Sequence, residues 1–417
     1  MAIAVSVFVA ALVALAAERP HRTLVALTGG LAVVAVGTIS QETAIEAIDF
    51  NTIGLLVGMM LIVRLTEPTG VYNYLAIRAG QAAGGDALRL VFALAGATAL
   101  LSAFLDNLTT ILLVVPITFL LADALDVDPI PLIVIEIVAA NVGGTATLIG
   151  DPPNILIAGA TGLSFTAFIV HLAPLATVTF VATTLLLYRF FRHRLTIGEA
   201  ARHRLLELDA ARSIEQPELL RRMAPVLGLT LAAFFLHGAL GLEPATVAMA
   251  GATALLFMAR RPLEDAIGGI EWPTLFFFMG LFVMVGALEA TGAIGEVADA
   301  LRSLSGGSRS AELMTIAWGS AAGSGIVDNI PFTAAMIPIV QELKGPAGDD
   351  AYWWALAIGA CFGGNATIIA AAANVAAAGI VERSGRRIGF VEFLRAGLPA
   401  TLLSMLIATA YIALRYL

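Results

Sequence analysis

Apolar runs of about 16–20 residues follow one another along the chain, separated by short charged or glycine- and proline-rich breaks. Each run is about long enough to cross a ~30 Å hydrocarbon core as a helix. In the first half they are Ala2–Ala17, Thr23–Ile39, Phe50–Leu65, a broken run over Pro131–Ala160, and Phe165–Phe190. The second half has Met223–Leu240, Pro244–Met258, Trp272–Leu288, a broken run over Tyr352–Ile380, and Phe390–Tyr411. Between the third and fourth runs of each half, two apolar arms flank an Asp-Asn pair: Leu88–Leu105 with Leu108–Leu121, then Leu313–Val327 with Ile330–Leu343. The second arms, about 14 residues each, are too short to cross comfortably, which predicts re-entrant hairpins at 88–121 and 313–343.

The polar positions repeat. Asp106, Asn107 and Pro116 return as Asp328, Asn329 and Pro338 at a shift of 222 (328 − 106), and the same shift carries Thr69-Gly70 onto Thr291-Gly292. Gly143, Gly144, Thr147 and Asn154 return as Gly363, Gly364, Thr367 and Asn374 at a shift of 220 (363 − 143). A repeat of five spans has an odd count, so its second copy enters the membrane upside down. The expected fold is an all-α polytopic membrane protein built as an inverted-repeat secondary transporter. Residues 1–191 form the first repeat, 192–222 a charged linker helix, and 223–417 the second repeat.

Composition agrees: 59% of residues are hydrophobic, 13% are charged, and the mean hydropathy is +0.91. Such a chain belongs in a lipid bilayer. The net charge of −8 says little about nucleic acid, because the charges sit in a few loops and no basic stripe exists; no nucleic-acid partner is expected. The single cysteine, Cys361, excludes an intramolecular disulfide and a cysteine metal cage. Met1 to Ala17 lacks a basic leader and reads as a retained span, although Ala14-Leu15-Ala16 imitates a signal cleavage site. Arg19, Arg22, Arg78, Arg189 to Arg222, Arg260, Arg261 and Arg383 to Arg387 fall on one side of this layout. Glu42, Glu46, Asp49, Glu296, Asp299 and Asp349 fall on the other, with few cations (Arg302, Arg309, Lys344). The positive-inside rule then puts the linker in the cytoplasm and both termini outside a cell (inner) membrane; Asp123, Asp126 and Asp128 weigh little in it.

An Asp-Asn pair inside hydrocarbon costs several kcal/mol unless protein or water satisfies it. Asp106 and Asp328 can bind a proton or sodium; the plainer role is to cap a hairpin turn, which both residue types favour. Each half also breaks an apolar run at glycines. The first break is Asn141-Val142-Gly143-Gly144-Thr145-Ala146-Thr147-Leu148-Ile149-Gly150-Asp151-Pro152-Pro153-Asn154, and the second runs from Cys361 through Gly363-Gly364-Asn365-Ala366-Thr367 to Asn374. Glycine permits non-helical backbone, and the paired prolines remove donors and stop the incoming helix. The freed carbonyls, with Thr and Asn oxygens, suit a cation; exposed helix N-termini suit an anionic or polar substrate. Duplication of tips and breaks in register favours a functional site. Glu136, with Leu356 at its repeat position, serves either as a proton relay or as a bond to a neighbouring helix. Asp151, replaced by Ala371 in the second copy, is a one-sided coupling group or a helix N-cap. His171 reads as a satisfied core histidine rather than a proton carrier, Arg64 and Glu67 as an ion pair at a membrane edge, Gly54 and Gly58 as close packing rather than a dimer seam, and Cys361 as a small packing residue rather than a thiophilic-ligand site.

Asp106-Asn107-Leu108-Thr109-Thr110, the first glycine-rich break, and Asp328-Asn329-Ile330-Pro331-Phe332-Thr333 resemble the ion transporter superfamily over nearly the whole chain. The branch they resemble holds arsenite-efflux permeases, a sodium/proton antiporter group and the melanosomal P protein, and is related to citrate and dicarboxylate carriers. The resemblance implies that Asn107 and Asn329 contact substrate or ion, with Thr109, Thr110 and Thr333 nearby and a sodium ion near either Asn. It also implies a homodimer. The dicarboxylate carriers have Ser where Asp stands here, and two fixed carboxylates repel a dicarboxylate unless protonated. The second copy has Pro331-Phe332 for Thr109-Thr110 and Ala371-Ala372-Ala373 for Asp151-Pro152-Pro153, so the half-sites are chemically unequal.

The function expected is therefore a proton-coupled antiporter, not an enzyme, that extrudes arsenite or antimonite, or sodium, by alternating access. It needs no cofactor beyond protons and, in some versions, sodium as coupling ions. The second expectation is a sodium-coupled carrier of a carboxylate or other anion. A passive channel also fits the sequence. An intramembrane aspartyl protease, which needs two facing Asp residues, lacks its Gly-x-Gly-Asp context at Gly323-Ser324-Gly325-Ile326-Val327-Asp328.

Overall fold

The computed structural model describes residues 1–17, 20–84, 86–198, 207, 209–259, 262–345 and 348–417, and these fold into α-helices joined by short turns. Arg19, Arg260 and Arg261 lie outside the described residues. The first half contains α1 (Ala2–Ala16), α2 (Arg22–Ala35), α3 (Gln41–Glu46), α4 (Phe50–Thr66), α5 (Val71–Ala82), α6 (Ala87–Phe104), α7 (Asn107–Leu125), α8 (Pro129–Thr145), α9 (Pro152–Thr161) and α10 (Phe165–Phe191). The second half repeats that order: α11 (Pro217–Leu240), α12 (Pro244–Ala259), α13 (Leu263–Gly268), α14 (Trp272–Ala290), α15 (Ala293–Leu304), α16 (Arg309–Ile326), α17 (Asn329–Lys344), α18 (Ala351–Gly363), α19 (Ala372–Arg383) and α20 (Phe390–Tyr416).

Among the described residues, seven helical segments are long and apolar enough to cross a membrane, and five further apolar helices are shorter. Packing follows the sequence repeat. The α6–α8 contact has its match in α16–α18, α2–α14 in α4–α12, and α7–α19 in α9–α17. Local geometry matches as well: Gly70 and Gly292, both at φ +76°, start α5 and α15 from the left-handed region that glycine enters freely. Gly58 serves close packing, because a Cβ on it would stand 2.7 Å from Ala248 of α12, whereas one on Gly54 would meet only the Ala245 Cβ at 3.3 Å.

Three expectations change. The second arms are longer than the sequence suggests: α7 has 19 residues and α17 has 16, with Pro116 and Pro338 inside them. The extra length lies at the ends: α7 starts at Asn107 and runs past Asp123 to Leu125, and α17 gains one residue at each end. The paired prolines at 152–153 do not stop the incoming helix, which has already ended at Thr145; they occupy the first turn of α9, where a missing N–H is harmless. Nor is 192–222 one helix. Its described part holds 3-10 turns at Arg192–Arg194 and Ala210–Ser213, and α11 starts at Pro217; residues 199–206 and 208 lie outside the described residues.

The core lies around the two broken helices. Every residue of α8 and of α18 is buried. Their unwound ends therefore sit inside protein, the condition under which irregular backbone survives at membrane depth.

Candidate functional site

Both Asp-Asn tips start helices, and in each the aspartate turns back to cap while the asparagine points inward. Asp106 Oδ1 accepts the Thr109 backbone N–H at 2.8 Å and its Oδ2 the Thr109 hydroxyl at 2.5 Å. Asp328 accepts the Ile330 N–H at 2.9 Å instead, since Pro331 stands at the position of Thr109 and has neither donor. Its other oxygen faces Arg22 Nη1 at 3.6 Å, and Arg22 also donates to Thr274 Oγ1 at 3.3 Å and lies over the Phe277 ring.

The two asparagines converge on Asp151. Asn107 Nδ2 donates to Asp151 Oδ1 at 3.1 Å and to Asn141 Oδ1 at 3.0 Å; Asn329 Nδ2 reaches the same Asp151 oxygen at 3.2 Å. Asn141 Nδ2 in turn donates to Asn365 Oδ1 at 2.9 Å and Asn374 Oδ1 at 3.1 Å, which ties the first break to the second. Asp151 stands at the N-cap position of α9 but makes no capping bond; its role is to receive the amides from both tips. Its Oδ2 is buried without a hydrogen-bond partner, as is the Asn365 Nδ2 donor. These residues form a buried polar centre built by both halves.

A matched frame supports it. Asn154 Nδ2 holds the carbonyls of Thr145 and Thr147 at 3.1 and 2.8 Å, and Asn374 Nδ2 holds those of Gly364 and Thr367 at 2.7 and 2.9 Å. Ser102 and Ser324 each donate at 2.7 Å to a carbonyl of the facing broken helix, Ala140 and Ala360. Thr147 and Thr367 donate to the Ala103 and Gly325 carbonyls beside the tips. Glycine is required at the crossings: a Cβ on Gly143 would lie 2.2 Å from the Ala99 carbonyl oxygen, and one on Gly363 2.5 Å from that of Ala321. A Cβ on Gly144 would be as tightly placed, 2.4 Å from the Gly150 carbonyl oxygen, while one on Gly364 would reach 3.1 Å from that of Cys361.

The structure thus gathers Asn107, Asn141, Asp151, Asn329, Asn365 and Asn374 and uses other predicted oxygens as framework. The hydroxyls of Thr145 and Thr333 turn back on their own helices, to the Asn141 and Asn329 carbonyls. Thr110 Oγ1 is buried and has no partner. Glu136 is buried between α7 and α8, where the Thr118 hydroxyl of the neighbouring helix meets its carboxylate at 2.7 and 2.8 Å. His171 bonds Tyr416 at 2.8 Å and stacks on Trp354, and Arg64 pairs with Glu67 at 3.1 Å.

Four participants were not visible as site residues in the sequence. Cys361, read as packing, sits in the polar centre with its thiol 3.6 Å from Asn154 Oδ1. Arg22, Glu271 and Thr274 line a cavity of about 530 Å³ with Asp328, Phe277, Ala372 and Val375. A narrower space of about 40 Å³, with room for a water-sized occupant, reaches Asp106, Asn107 and Asn329. Among the described residues, no group of three or more His, Cys, Asp or Glu is placed to hold a metal ion.

Membrane-crossing helices from two matched halves, closing around a buried polar centre beside a cavity, define a polytopic membrane transporter of small ions or solutes. The chain belongs to the citrate transporter family, CitMHS, whose model matches residues 12–359. It is 42% identical over 422 residues to uncharacterised transporters of Mycobacterium tuberculosis and Mycobacterium bovis, covering 99% of this chain and 98% of each relative. It is 32% identical to the human P protein over 483 residues, covering 95% of this chain and 57% of that longer protein. The crystal structure of the Alcanivorax borkumensis YdaH transporter shares the fold, with a TM-score of 0.64 over 94% of this chain and 96% of that one at 16% identity. The chain is a secondary transporter, and the protease reading falls away with that membership.

Proposed function

We propose that the two halves are inverted repeats, that α6–α7 and α16–α17 are hairpins whose tips meet near the middle of the membrane, and that transport is coupled to protons at Asp151. One observation carries this: one amide from each tip, Asn107 and Asn329, ends on the same carboxylate oxygen. Among the described residues no cation pairs with Asp151, and its second oxygen is buried without a hydrogen-bond partner. Burying a carboxylate uncompensated costs several kcal/mol, so a positive partner, a proton or sodium, accompanies it through the membrane. Asp328 is held by Arg22 and Asp106 by its cap, which leaves Asp151 the group free to load and unload. The surrounding amides and carbonyls suit a small uncharged hydroxy-compound such as arsenite or antimonite, or sodium itself, exchanged outward for protons. The Arg-rich face is assigned to the cytoplasm.

The second reading, coupled transport of a carboxylate, is favoured by one feature: Arg22 on the cavity wall, in a family whose description is citrate transport. Reconstituted vesicles with an imposed pH gradient separate the two. Arsenite or sodium flux that follows the gradient supports proton exchange. Flux of those species indifferent to it, with sodium-driven citrate or succinate uptake, replaces that reading with the second.

A further inference from the structure

Gly159 in α9 and Gly379 in α19 occupy matching positions at the shift of the glycine-rich breaks (379 − 159 = 220), yet their surroundings differ. A Cβ on Gly159 would stand 2.1 Å from Asp49 Oδ2 and 2.5 Å from Thr52 Oγ1, so the first turn of α4 is seated on it. A Cβ on Gly379 would meet only the end of the Arg383 side chain, at 3.7 Å. The counterparts of Asp49 and Thr52 are Glu271 and Thr274 (271 − 49 and 274 − 52 both give 222), in the same cap-to-threonine arrangement at the start of α14. Glu271 and Thr274 face Ala372, Val375 and Ala376 of α19 across the cavity of about 530 Å³. Helical spacing places Gly379 on that same stripe, one turn on.

The other contacts of these helices are exchanged too. α14 packs on α17, whereas between α4 and α7 there is a cavity of about 160 Å³ lined by Met60, Val63, Thr109 and Leu112. Each of the equivalent helices α4 and α14 is therefore packed on one of its two equivalent neighbours and stands off the other.

We infer that Gly379 is the seat onto which Glu271 and Thr274 close when the site turns to the opposite side, while α4 leaves Gly159 in the same movement. The inference rests on the alternating-access reading above and assigns it a positioning residue. A side chain at 379 leaves the present arrangement undisturbed and obstructs the exchanged one, because packed interfaces switch between discrete arrangements.

The test places a reporter cysteine at the exposed cavity residue, Val375→Cys, labelled by a membrane-impermeant maleimide; Cys361 is wholly buried and stays silent. Gly379→Val is expected to cut flux about tenfold or more and to speed labelling of the reporter, because the closed population is lost. Gly379→Ala falls between. Thr274→Leu, on the opposite wall, is expected to do the same and serves if Gly379→Val does not fold. Flux within about twofold of wild type, or equal labelling in variant and parent, overturns the assignment. Wild-type flux indifferent to pH with the labelling contrast intact would instead remove proton coupling and leave the seat standing.

Discussion

Asp151→Asn and Asp151→Ala separate the carboxylate's charge from its hydrogen bonds. Its Oδ1 accepts Asn107 at 3.1 Å and Asn329 at 3.2 Å. Alanine removes that acceptor and leaves two buried donors short of a partner, although Asn107 keeps Asn141 at 3.0 Å. At about 1–3 kcal/mol for each stranded donor, Asp151→Ala loses about 2–6 kcal/mol, nearer the lower figure because of the retained bond. Asparagine keeps an acceptor oxygen in the same place and removes the group that carries a proton. Its stability should stay within about 1 kcal/mol of wild type, while proton-coupled flux falls about 5–150-fold, the range of a 1–3 kcal/mol coupling free energy. The assays are thermal unfolding in detergent and flux into vesicles at two imposed pH gradients. Asp151→Asn with wild-type, gradient-dependent flux would refute the assignment of coupling to this residue. Asp151→Ala as stable as wild type would refute the dependence of both tips on it.

The frame gives two further expectations. Asn154→Ala and Asn374→Ala each remove two bonds to unwound carbonyls and should each lose about 1–3 kcal/mol in thermal unfolding, by similar amounts if the halves are equivalent in support. Gly143→Ala drives a methyl to 2.2 Å from a carbonyl oxygen, whereas at Gly54 the nearest atom is a side-chain Cβ at 3.3 Å. Size-exclusion yield should collapse for Gly143→Ala and hold for Gly54→Ala, since overpacking against backbone costs about 1–3 kcal/mol or more.

The long apolar runs, the Asp-Asn tips and the two glycine-rich breaks were legible because each leaves a local mark: hydropathy over a span, or a polar pair and glycines where neither belongs. The repeat was legible because both copies kept the same polar positions at a fixed shift, and the helices recur in the same order. Arm length was not, because the first half's apolar run stops before Asp123 while the helix continues past it to Leu125, with Ala122 and Leu125 buried. Arg22 looked like one more loop charge, and its pairing with Asp328 spans most of the chain.

Sequence by itself determined that this chain lives in a bilayer, that it is built from two related halves, and which polar residues each half brings inward, since burial of polar groups in hydrocarbon must be repeatedly justified residue by residue. Only the tertiary structure decided that Asp151, present in one half alone, receives the amides of both Asn107 and Asn329, and that α4 lies against Gly159 while Gly379 has no such contact. Those outcomes depend on contacts between segments far apart in the chain, 178 residues for Asn329 and Asp151, where packing selects the partner and no local pattern records the choice.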